Sequence, residues 1–255
     1  MSTLITVKDD AAVRLITINR PEKKNALKQE MYAGMISALT AANSSPHIRA
    51  CVITGSGEYF TSGNDLADFA AQSGGGGATP AAEFPRVLAT MEKPILVAVN
   101  GPAVGVGVTM LLQCDLAYAA DSATFRAPFV DLALVPEGAS GLLAPTALGT
   151  MKANQLLLLA ETWGAAEAAN AGLVAGVFAK SILLDEVMAR AHKIAAKAPA
   201  AMRASKALLG HNRAQTLAFI EHAHKIFSDR IASEEFAEAA SAFMIRRPAD
   251  FSRFT

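Results

Sequence analysis

NGPAVGVGVTM, residues 100–110, is the stretch that decides the fold. The five apolar residues before it, 95–99, are typical of a buried strand, and its glycines then mark a turn. The apolar residues 108–112 predict the buried start of a helix. A strand, a glycine turn and a helix N-terminus aim free backbone N–H groups at one point, which attracts an anion or a transient oxyanion. The same pattern is also typical of a close-packed strand-to-helix junction that binds nothing.

A second strand-and-turn unit lies upstream. The apolar segment ACVITG, residues 50–55, predicts a buried strand, and FTSGNDL, residues 60–66, follows it with a glycine turn. Asn64 and Asp65 offer a cap for a following helix. Two turns that present N–H groups, each at the end of a strand, would suit an oxyanion hole built from two loops. A capped turn without chemistry explains the same residues.

Three blocks of sequence together resemble the crotonase, or enoyl-CoA hydratase/isomerase, superfamily. They are NRPEKKNAL (19–27), FTSGNDL (60–66) and NGPAVGVGVT (100–109), and their order and spacing are also similar to that family. The resemblance runs from residue 4 to about residue 209. It implies an α/β fold built as a spiral of ββα units with a C-terminal helical lobe. We place the spiral core and the acyl-CoA site in residues 1–195 and the lobe, which would pack a homotrimer or a dimer of trimers, in residues 196–255.

Composition excludes several classes of protein. The 255 residues are 52% hydrophobic and 18% charged, enough apolar residues for one large core. Lys plus Arg and Asp plus Glu are both 23, so the formal net charge is zero and nothing indicates a nucleic-acid partner. No apolar run reaches about 18 residues, and the N-terminus lacks a secretory pattern. The C-terminal tripeptide is not a peroxisomal signal. We therefore expect a cytoplasmic protein without a membrane partner.

The cysteines and histidines do not predict a metal site. Cys51 and Cys114 lie in apolar segments more than sixty positions apart, so we expect reduced core thiols. His222 and His224 are two residues apart and would lie on different faces of a helix. We predict no metal, and the resemblance implies no cofactor beyond the CoA that the substrate carries.

Local patterns predict the order of the elements. We expect strands at 4–10, 13–19, 50–55, 95–99, 116–120, 123–125 and 173–178. We expect helices at 28–42, 83–90, 147–160, 165–171, 183–196, 200–209 and 215–244. The glycine-rich segment 70–80 is expected to be a mobile loop over the acyl pocket, and no Walker motif follows its glycines.

The resemblance implies which residues contact an acyl-CoA thioester. The basic loop at 21–25 would contact CoA, with Lys24 near a phosphate and the backbone of Ala26 near the adenine. Solvated surface lysines are the alternative explanation of this loop. The full set of substrate-binding residues that we predict is Lys24, Ala26, Ser62, Gly63, Asp65, Leu66, Gly105 and Phe129. Of these, Phe129 and Leu66 would line the acyl pocket with Phe69 and Val130, or simply belong to the core. Arg246 and Arg247 could approach the phosphates or form a solvated tail.

The hydratases of this family use two glutamates. In an ungapped alignment of the motif blocks they would fall at Thr109 and Phe129. Threonine cannot serve as a base near neutral pH, and phenylalanine has no proton to give. Hydration is therefore disfavoured.

Glu137, in the sequence Val-Pro-Glu-Gly at 135–138, is the candidate catalytic carboxylate. This block resembles the peroxisomal type of 3,2-trans-enoyl-CoA isomerase, whose single glutamate lies in a corresponding Pro-Glu-Gly. The backbone N–H groups of Asn64 and Val106 would hold the thioester oxygen. A carboxylate that stabilises a helix start is the competing interpretation of Glu137. Asp65, Asp68 and Asp131 are rival carboxylates, and each also has a structural explanation.

We therefore predict an acyl-CoA isomerase that moves a double bond from C3 to C2. A crotonase isomerase acting on a cyclic or dienoyl thioester is one alternative. A non-catalytic acyl-CoA-binding protein is the other, although a pure binder would have no need of a carboxylate after Pro136.

Overall fold

The computed structural model describes residues 4–65, 68, 79–210, 212–245 and 247–254. The predicted loop over 70–80 therefore lies almost wholly outside the described residues, as do Leu66, Phe69 and Arg246.

A six-stranded sheet forms the centre of the molecule. Its strands stand in the order β1-β2-β3-β4-β6-β9, with β1 antiparallel to β2 and the other neighbours parallel. Because both faces of a parallel sheet are covered, its central strands are largely apolar, and every residue of the strand Ile95–Val99 is buried. The strands are β1 (Ile5–Asp10), β2 (Val13–Ile18), β3 (Ala50–Gly55), β4 (Ile95–Val99), β6 (Leu116–Ala120) and β9 (Gly176–Phe178).

A second sheet has three strands, two of which directly follow strands of the first sheet along the chain. It contains β5 (Ala103–Val104), β7 (Thr124–Arg126) and β8 (Trp163–Gly164), in the order β5-β7-β8. The chain passes from β4 to β5, and again from β6 to β7, before it enters a helical segment. Isolated parallel bridges Thr61↔Ala103 and Leu27↔Asn64 extend the second sheet to the upstream turns. This repeated passage is the ββα spiral that the resemblance implies.

Ten α-helices surround the sheets in the described part of the chain. Short 3-10 turns at Pro21–Lys23, Met110–Gln113 and Val130–Leu132 accompany them. The α-helices are α1 (Gln29–Ser44), α2 (Pro80–Thr90), α3 (Val106–Thr109), α4 (Ser140–Leu148), α5 (Thr150–Leu157), α6 (Ala165–Asn170), α7 (Leu183–Ala195), α8 (Pro199–Leu209), α9 (Arg213–Ile231) and α10 (Glu234–Met244).

The predicted strands and most predicted helices are confirmed to within a few residues, but two helical predictions are wrong. The helix predicted at 147–160 starts earlier, at Ser140, and is split at Gly149, whose φ of 76° breaks the helical backbone. The run predicted at 215–244 is two helices, because Ser233 caps α10 by accepting a hydrogen bond from the N–H of Phe236.

Two asparagines fix the corners between the sheets. Asn100 accepts a hydrogen bond from the N–H of Gly55 and donates to the carbonyls of Gly57 and Tyr59. Asn25 donates to the carbonyls of Ser56 and Tyr59 from the other side. A Cβ on Gly101 would lie 1.9 Å from the carbonyl oxygen of Glu58, so the two corners pack backbone against backbone. The turns that carry the candidate site are therefore held rigidly to one another.

The C-terminal helices pack back onto the rest of the chain. Ile220 of α9 forms a small buried cluster with Ala139 and Leu143. α7 ends at Ala195 and α8 begins at Pro199, which agrees with the predicted break; the division into a core of 1–195 and a lobe of 196–255 stays a prediction. Cys51 and Cys114 are both free thiols, as expected. None of the helices in the described ranges is long and apolar enough to cross a membrane.

Candidate active site

Glu137 is half-buried as a residue, and its carboxyl group points into the protein. Its Oε1 atom is inaccessible to solvent and has no hydrogen-bond partner among the described residues. Burial raises the pKa of Glu137 to about 7, and hydrogen bonding from the side chains of Thr109 and Asn64 partly offsets that rise. A carboxyl group with such a pKa exchanges protons near neutral pH.

The backbone around Glu137 separates its side chain from the helix that follows. The N–H and hydroxyl of Ser140 both donate to the Glu137 carbonyl oxygen, at 3.2 and 2.6 Å, and α4 starts at Ser140. The positive φ of 62° at Gly138 turns the chain where a Cβ would lie 3.4 Å from Pro85. The carboxyl group is thus buried instead of capping α4 as an exposed side chain.

The two predicted N–H donors, Asn64 and Val106, occupy equivalent positions on neighbouring segments. Thr61 pairs with Ala103 in a parallel bridge, and the N–H of Val104 donates to the carbonyl of Thr61. Three residues further along each segment stand Asn64 and Val106. Gly63 lies close against Val104, since a Cβ at Gly63 would be 3.2 Å from its carbonyl oxygen. The structure therefore brings the two turns side by side.

Both N–H groups are left open by the local hydrogen bonds. Leu27 pairs with Asn64 through the Gly63 carbonyl and the Asp65 N–H, which turns the N–H of Asn64 the other way. Val106 is the first residue of α3, so its N–H has no partner within the helix. Neither N–H finds an acceptor among the described residues. Gly105, the residue immediately before Val106, has φ 56° and ψ −115°, a backbone conformation that favours glycine.

A tyrosine that the sequence analysis did not single out completes the polar surroundings of Glu137. The Tyr32 hydroxyl donates to Oδ1 of Asn64 at 2.5 Å, and Tyr32 is only 2% exposed. Burial and the charge of Glu137 raise the pKa of Tyr32, so the phenol keeps its proton. Tyr32 lies among the buried residues Met31 and Met35 of α1, and that apolar pattern hides its polar role in the sequence.

The two positions at which the resemblance implies hydratase glutamates are both buried. Thr109 is 3% exposed and lies on α3, and hydrogen bonding from its side chain lowers the pKa of Glu137. Phe129 is 5% exposed and belongs to the main hydrophobic core. The chain thus carries a hydroxyl at one of these positions and an apolar ring at the other.

The rival carboxylates have structural partners. Asp65 forms an ion pair with the buried Arg20 at 2.7 Å. Asp68 accepts a hydrogen bond from the N–H of Gln29 at the start of α1, and Asp131 pairs with Arg126 at 2.9 Å. These contacts favour the structural explanation that each of the three carried in the sequence.

The loop predicted to contact CoA is held by its own hydrogen bonds. The Ala26 N–H donates to Lys23, and its carbonyl accepts from Arg20, so both backbone groups of Ala26 already have a partner. The Ser62 N–H donates to the carbonyl of Lys24, and this hydrogen bond joins the loop to the glycine turn of residues 60–66. Lys24 is exposed, with its ammonium 5.2 Å from the centre of the Tyr59 ring. Contact of these residues with CoA stays a prediction.

Two other predicted features receive no support as parts of the site. Leu66 is not described. Arg247 is bound to Glu238 by two hydrogen bonds, at 2.5 and 2.9 Å, which favours the tail interpretation.

A cavity of about 1010 Å³ opens between α2, α8 and α9, and Gln113 but not Glu137 lies in its wall. In the described ranges no cluster of His, Cys, Asp and Glu could hold a metal ion.

Comparison with known proteins identifies the family. The chain matches the enoyl-CoA hydratase/isomerase family over residues 8–253. It therefore belongs to that family, the crotonase superfamily. A crystal structure of an enoyl-CoA hydratase/isomerase from Pseudoalteromonas atlantica has the same fold, with a TM-score of 0.93 and 43% identity over 98% of this chain and 100% of the other.

Relatives of two activities resemble the chain. It is 39% identical to enoyl-CoA delta isomerase 2 of Rattus norvegicus over 96% of its own length, and it spans 64% of the length of that relative. It is 32% identical to 2,3-dehydroadipyl-CoA hydratase of Escherichia coli, over 98% of this chain and 99% of the relative. The family is a group of hydratases and isomerases of acyl-CoA thioesters, and the choice between them depends on the residues of the site.

Proposed function

We propose that the chain is an enoyl-CoA isomerase that moves a double bond from C3 to C2 of an enoyl-CoA. Glu137 would be its single base. The observation that carries the proposal is this one buried carboxyl group, with a pKa of about 7, beside the Asn64 turn and α3. The substrate is the acyl-CoA thioester itself, and no cofactor takes part.

One carboxylate is enough for this reaction. Glu137 takes the proton from C2 of a 3-enoyl-CoA; the C2–H electron pair forms a C1=C2 double bond and the C=O pair of the thioester moves to its oxygen. When the C=O bond forms again, the C1=C2 pair becomes the C2=C3 double bond, and the C3=C4 pair takes the proton back from Glu137 at C4. The dienolate between the two steps carries its charge on the thioester oxygen, which the N–H groups of Asn64 and Val106 would hold. One such N–H donor is typically worth about 10²- to 10³-fold in rate, and a positioned base about 10²- to 10⁴-fold.

The residues at 109 and 129 favour isomerisation over hydration. A hydratase needs a second carboxylate to position or protonate water, and Thr109 and Phe129 supply neither group. The rat relative's name supports an isomerase, whereas the name of the bacterial relative is that of a hydratase.

Incubation of the purified protein with a 3-enoyl-CoA in heavy water tests the proposal. We expect the 2-enoyl product, detected by NMR and mass, and deuterium at C4 reports how far Glu137 exchanges its proton with solvent. No product and no exchange at C2, with the ester bound, would instead indicate a non-catalytic acyl-CoA-binding protein. Formation of a 3-hydroxyacyl product from a 2-enoyl-CoA at a comparable rate would indicate a hydratase.

The Glu137→Gln variant identifies the base. Because glutamine cannot accept the C2 proton, we expect a loss of at least about 10²-fold in kcat, with binding of the CoA ester changed only a few fold. Glu161→Gln is the matched control, since Glu161 is exposed on the surface. A fully active Glu137→Gln variant would overturn the assignment.

We also propose that the chain forms a homotrimer or a dimer of trimers, as the resemblance implies. Large apolar side chains stay exposed on the C-terminal helices, including Leu208 and Leu209 at 87% each and Met244 at 80%. Light scattering should give the mass of three or six chains, and a monomer at micromolar concentration would contradict the proposal.

A further inference from the structure

The side chain of Asn64 interacts with both Tyr32 and Glu137: the Tyr32 hydroxyl donates to it, and hydrogen bonding from it lowers the pKa of Glu137. The Tyr32 hydroxyl donates to Oδ1 of Asn64, so the other end of the amide, Nδ2, is the donor that remains for the carboxyl group of Glu137. The backbone N–H of Asn64 has a separate direction and a separate proposed role.

The ring of Tyr32 is held firmly. Tyr32 projects from α1, is 2% exposed and packs edge-on against Phe84 of α2, with 5.4 Å between the ring centres. Because a buried hydroxyl needs an acceptor, reversal of the Asn64 amide would leave the Tyr32 proton unpaired. The tyrosine thus sets which end of the amide faces each neighbour.

We propose that Tyr32 is a positioning residue, whose hydroxyl fixes the Asn64 amide so that its N–H, and not its oxygen, faces the Glu137 carboxylate. Without that contact the amide can turn and present its oxygen, which favours the protonated acid over the carboxylate base. The kinetic consequence rests on the proposed isomerase function, whereas the effect on the acid itself does not.

The groups that face Glu137 come from several elements. Tyr32 lies on α1, Asn64 in the glycine turn of residues 60–66 and Thr109 on α3. Next to Glu137, Gly138 lies close to Pro85 of α2 and to Gln113 of the 3-10 turn that follows α3. Among the described residues, no Lys, Arg or His perturbs the pKa of Glu137. Burial, which raises the pKa of Glu137, and neutral hydrogen bonds, which lower it, therefore set its protonation.

Carbon-13 NMR of labelled glutamate carboxyl groups tests the inference without any turnover, with the Glu137 signal assigned from its loss in Glu137→Gln. We expect the Tyr32→Phe variant to raise the pKa of Glu137 by about one pH unit, the size of a weakened hydrogen bond to a charged group. Tyr118→Phe is the matched control, because Tyr118 lies on β6 against Phe178, and it should leave that pKa unchanged. An unchanged pKa in Tyr32→Phe overturns the inference.

A double-mutant cycle separates positioning from general loosening of the fold. If Tyr32 acts through Asn64, the Tyr32→Phe/Asn64→Ala pair raises the pKa of Glu137 no further than Asn64→Ala alone. Additive shifts would contradict the proposed route. If Tyr32→Phe does not fold, 3-fluorotyrosine at position 32 keeps the ring and strengthens the donor, and the pKa should then fall; a rise or no change overturns the inference.

Kinetics of the isomerase give a second reading. In a plot of kcat/KM against pH, the acidic limb of Tyr32→Phe should shift to higher pH by the same amount as the pKa of Glu137. KM should change only a few fold, and activity should recover at high pH. A uniform loss at every pH would indicate a structural role and contradict the proposal. A wild-type protein without isomerase activity would refute the proposed function, while the NMR titration would still decide the role of Tyr32.

Discussion

Glu137 illustrates how surroundings determine the chemistry of a residue. The sequence Pro-Glu-Gly places a carboxyl group after a turn, and exposed glutamate with a pKa near about 4.3 would be a weak base. Burial raises the pKa of Glu137 to about 7, and Asn64 and Thr109 limit the rise by hydrogen bonding. The sequence identifies the residue type, but the strength of the base depends on burial and on two neighbours, Asn64 and Thr109, that come from other segments of the chain.

The same shift predicts a pH-dependent stability. The pKa of Glu137 is raised in the folded state from 4.5 to about 7, so the folded protein holds this proton where the unfolded chain has lost it. Stability from this group is therefore fully present below about pH 4.5 and is lost as pH rises through about 7. Because each pKa unit corresponds to about 1.4 kcal/mol, Glu137→Gln should gain about 2 to 3 kcal/mol over wild type between about pH 5 and pH 8.

Urea unfolding of both proteins at the two pH values measures that difference. Glu161→Gln should show no such gain, since Glu161 is exposed. A constant difference between Glu137→Gln and wild type across this range would show that the folded protein does not raise the pKa of the acid.

The turns and the short helix α3 show how elements create the site. The parallel bridge between Thr61 and Ala103 aligns two glycine turns, so that Asn64 and Val106 come side by side. The glycines predict each turn separately, and the N–H groups that both turns present already suggest one oxyanion hole built from two loops. Their alignment follows from the second sheet, whose strands of two and three residues are too short to leave a clear period in the sequence.

Gly105→Ala tests whether this turn conformation matters. At φ 56° and ψ −115° an alanine is strained by about 1 to 3 kcal/mol, although no atom lies within 4 Å of its Cβ. The backbone should relax and displace the N–H of Val106, so we expect a loss of stability of that size and at least about a tenfold fall in kcat. Thermal unfolding and the isomerase assay measure both effects.

Gly164→Ala is the control for steric space alone. Gly164 also has no atom within 4 Å of a Cβ, but its φ of −79° suits any residue. Its stability should change by less than about 0.5 kcal/mol. Equal effects of the two substitutions would remove backbone strain as the explanation.

At the scale of the whole molecule, the C-terminal helices fold back onto the segments on either side of Glu137. Ile220 of α9 packs on Ala139 and Leu143, immediately after the catalytic candidate, and Arg230 donates to the carbonyl of Ala133 at 3.1 Å. An apolar stripe on a helix predicts burial but does not say against what, so the sequence alone leaves the packing partner of Ile220 open. The burial of this part of α9 depends on contacts between residues about eighty positions apart.

Ile220→Ala measures how much this packing contributes. Ile220 is 2% exposed, and removal of its buried methyl groups should lower the free energy of unfolding by about 2 to 4 kcal/mol. Denaturant unfolding should show the loss, with a smaller fall in activity as the segment after Glu137 loosens. Ile226→Ala on the same helix, where the side chain is 39% exposed, should cost less than about 1 kcal/mol. Equal costs would contradict a packing role specific to Ile220.

The sequence by itself determined the strands, the glycine turns, the three family blocks and the absence of carboxylates at 109 and 129. Each of these depends on local composition or on residues that are neighbours in the chain. The tertiary structure decided which carboxylate is buried, which N–H groups stay open, and that Tyr32 reaches Asn64. It also decided where helices break, at Gly149 and Ser233. Burial and hydrogen bonding between distant segments carry no local signal, and for that reason only the folded chain reveals them.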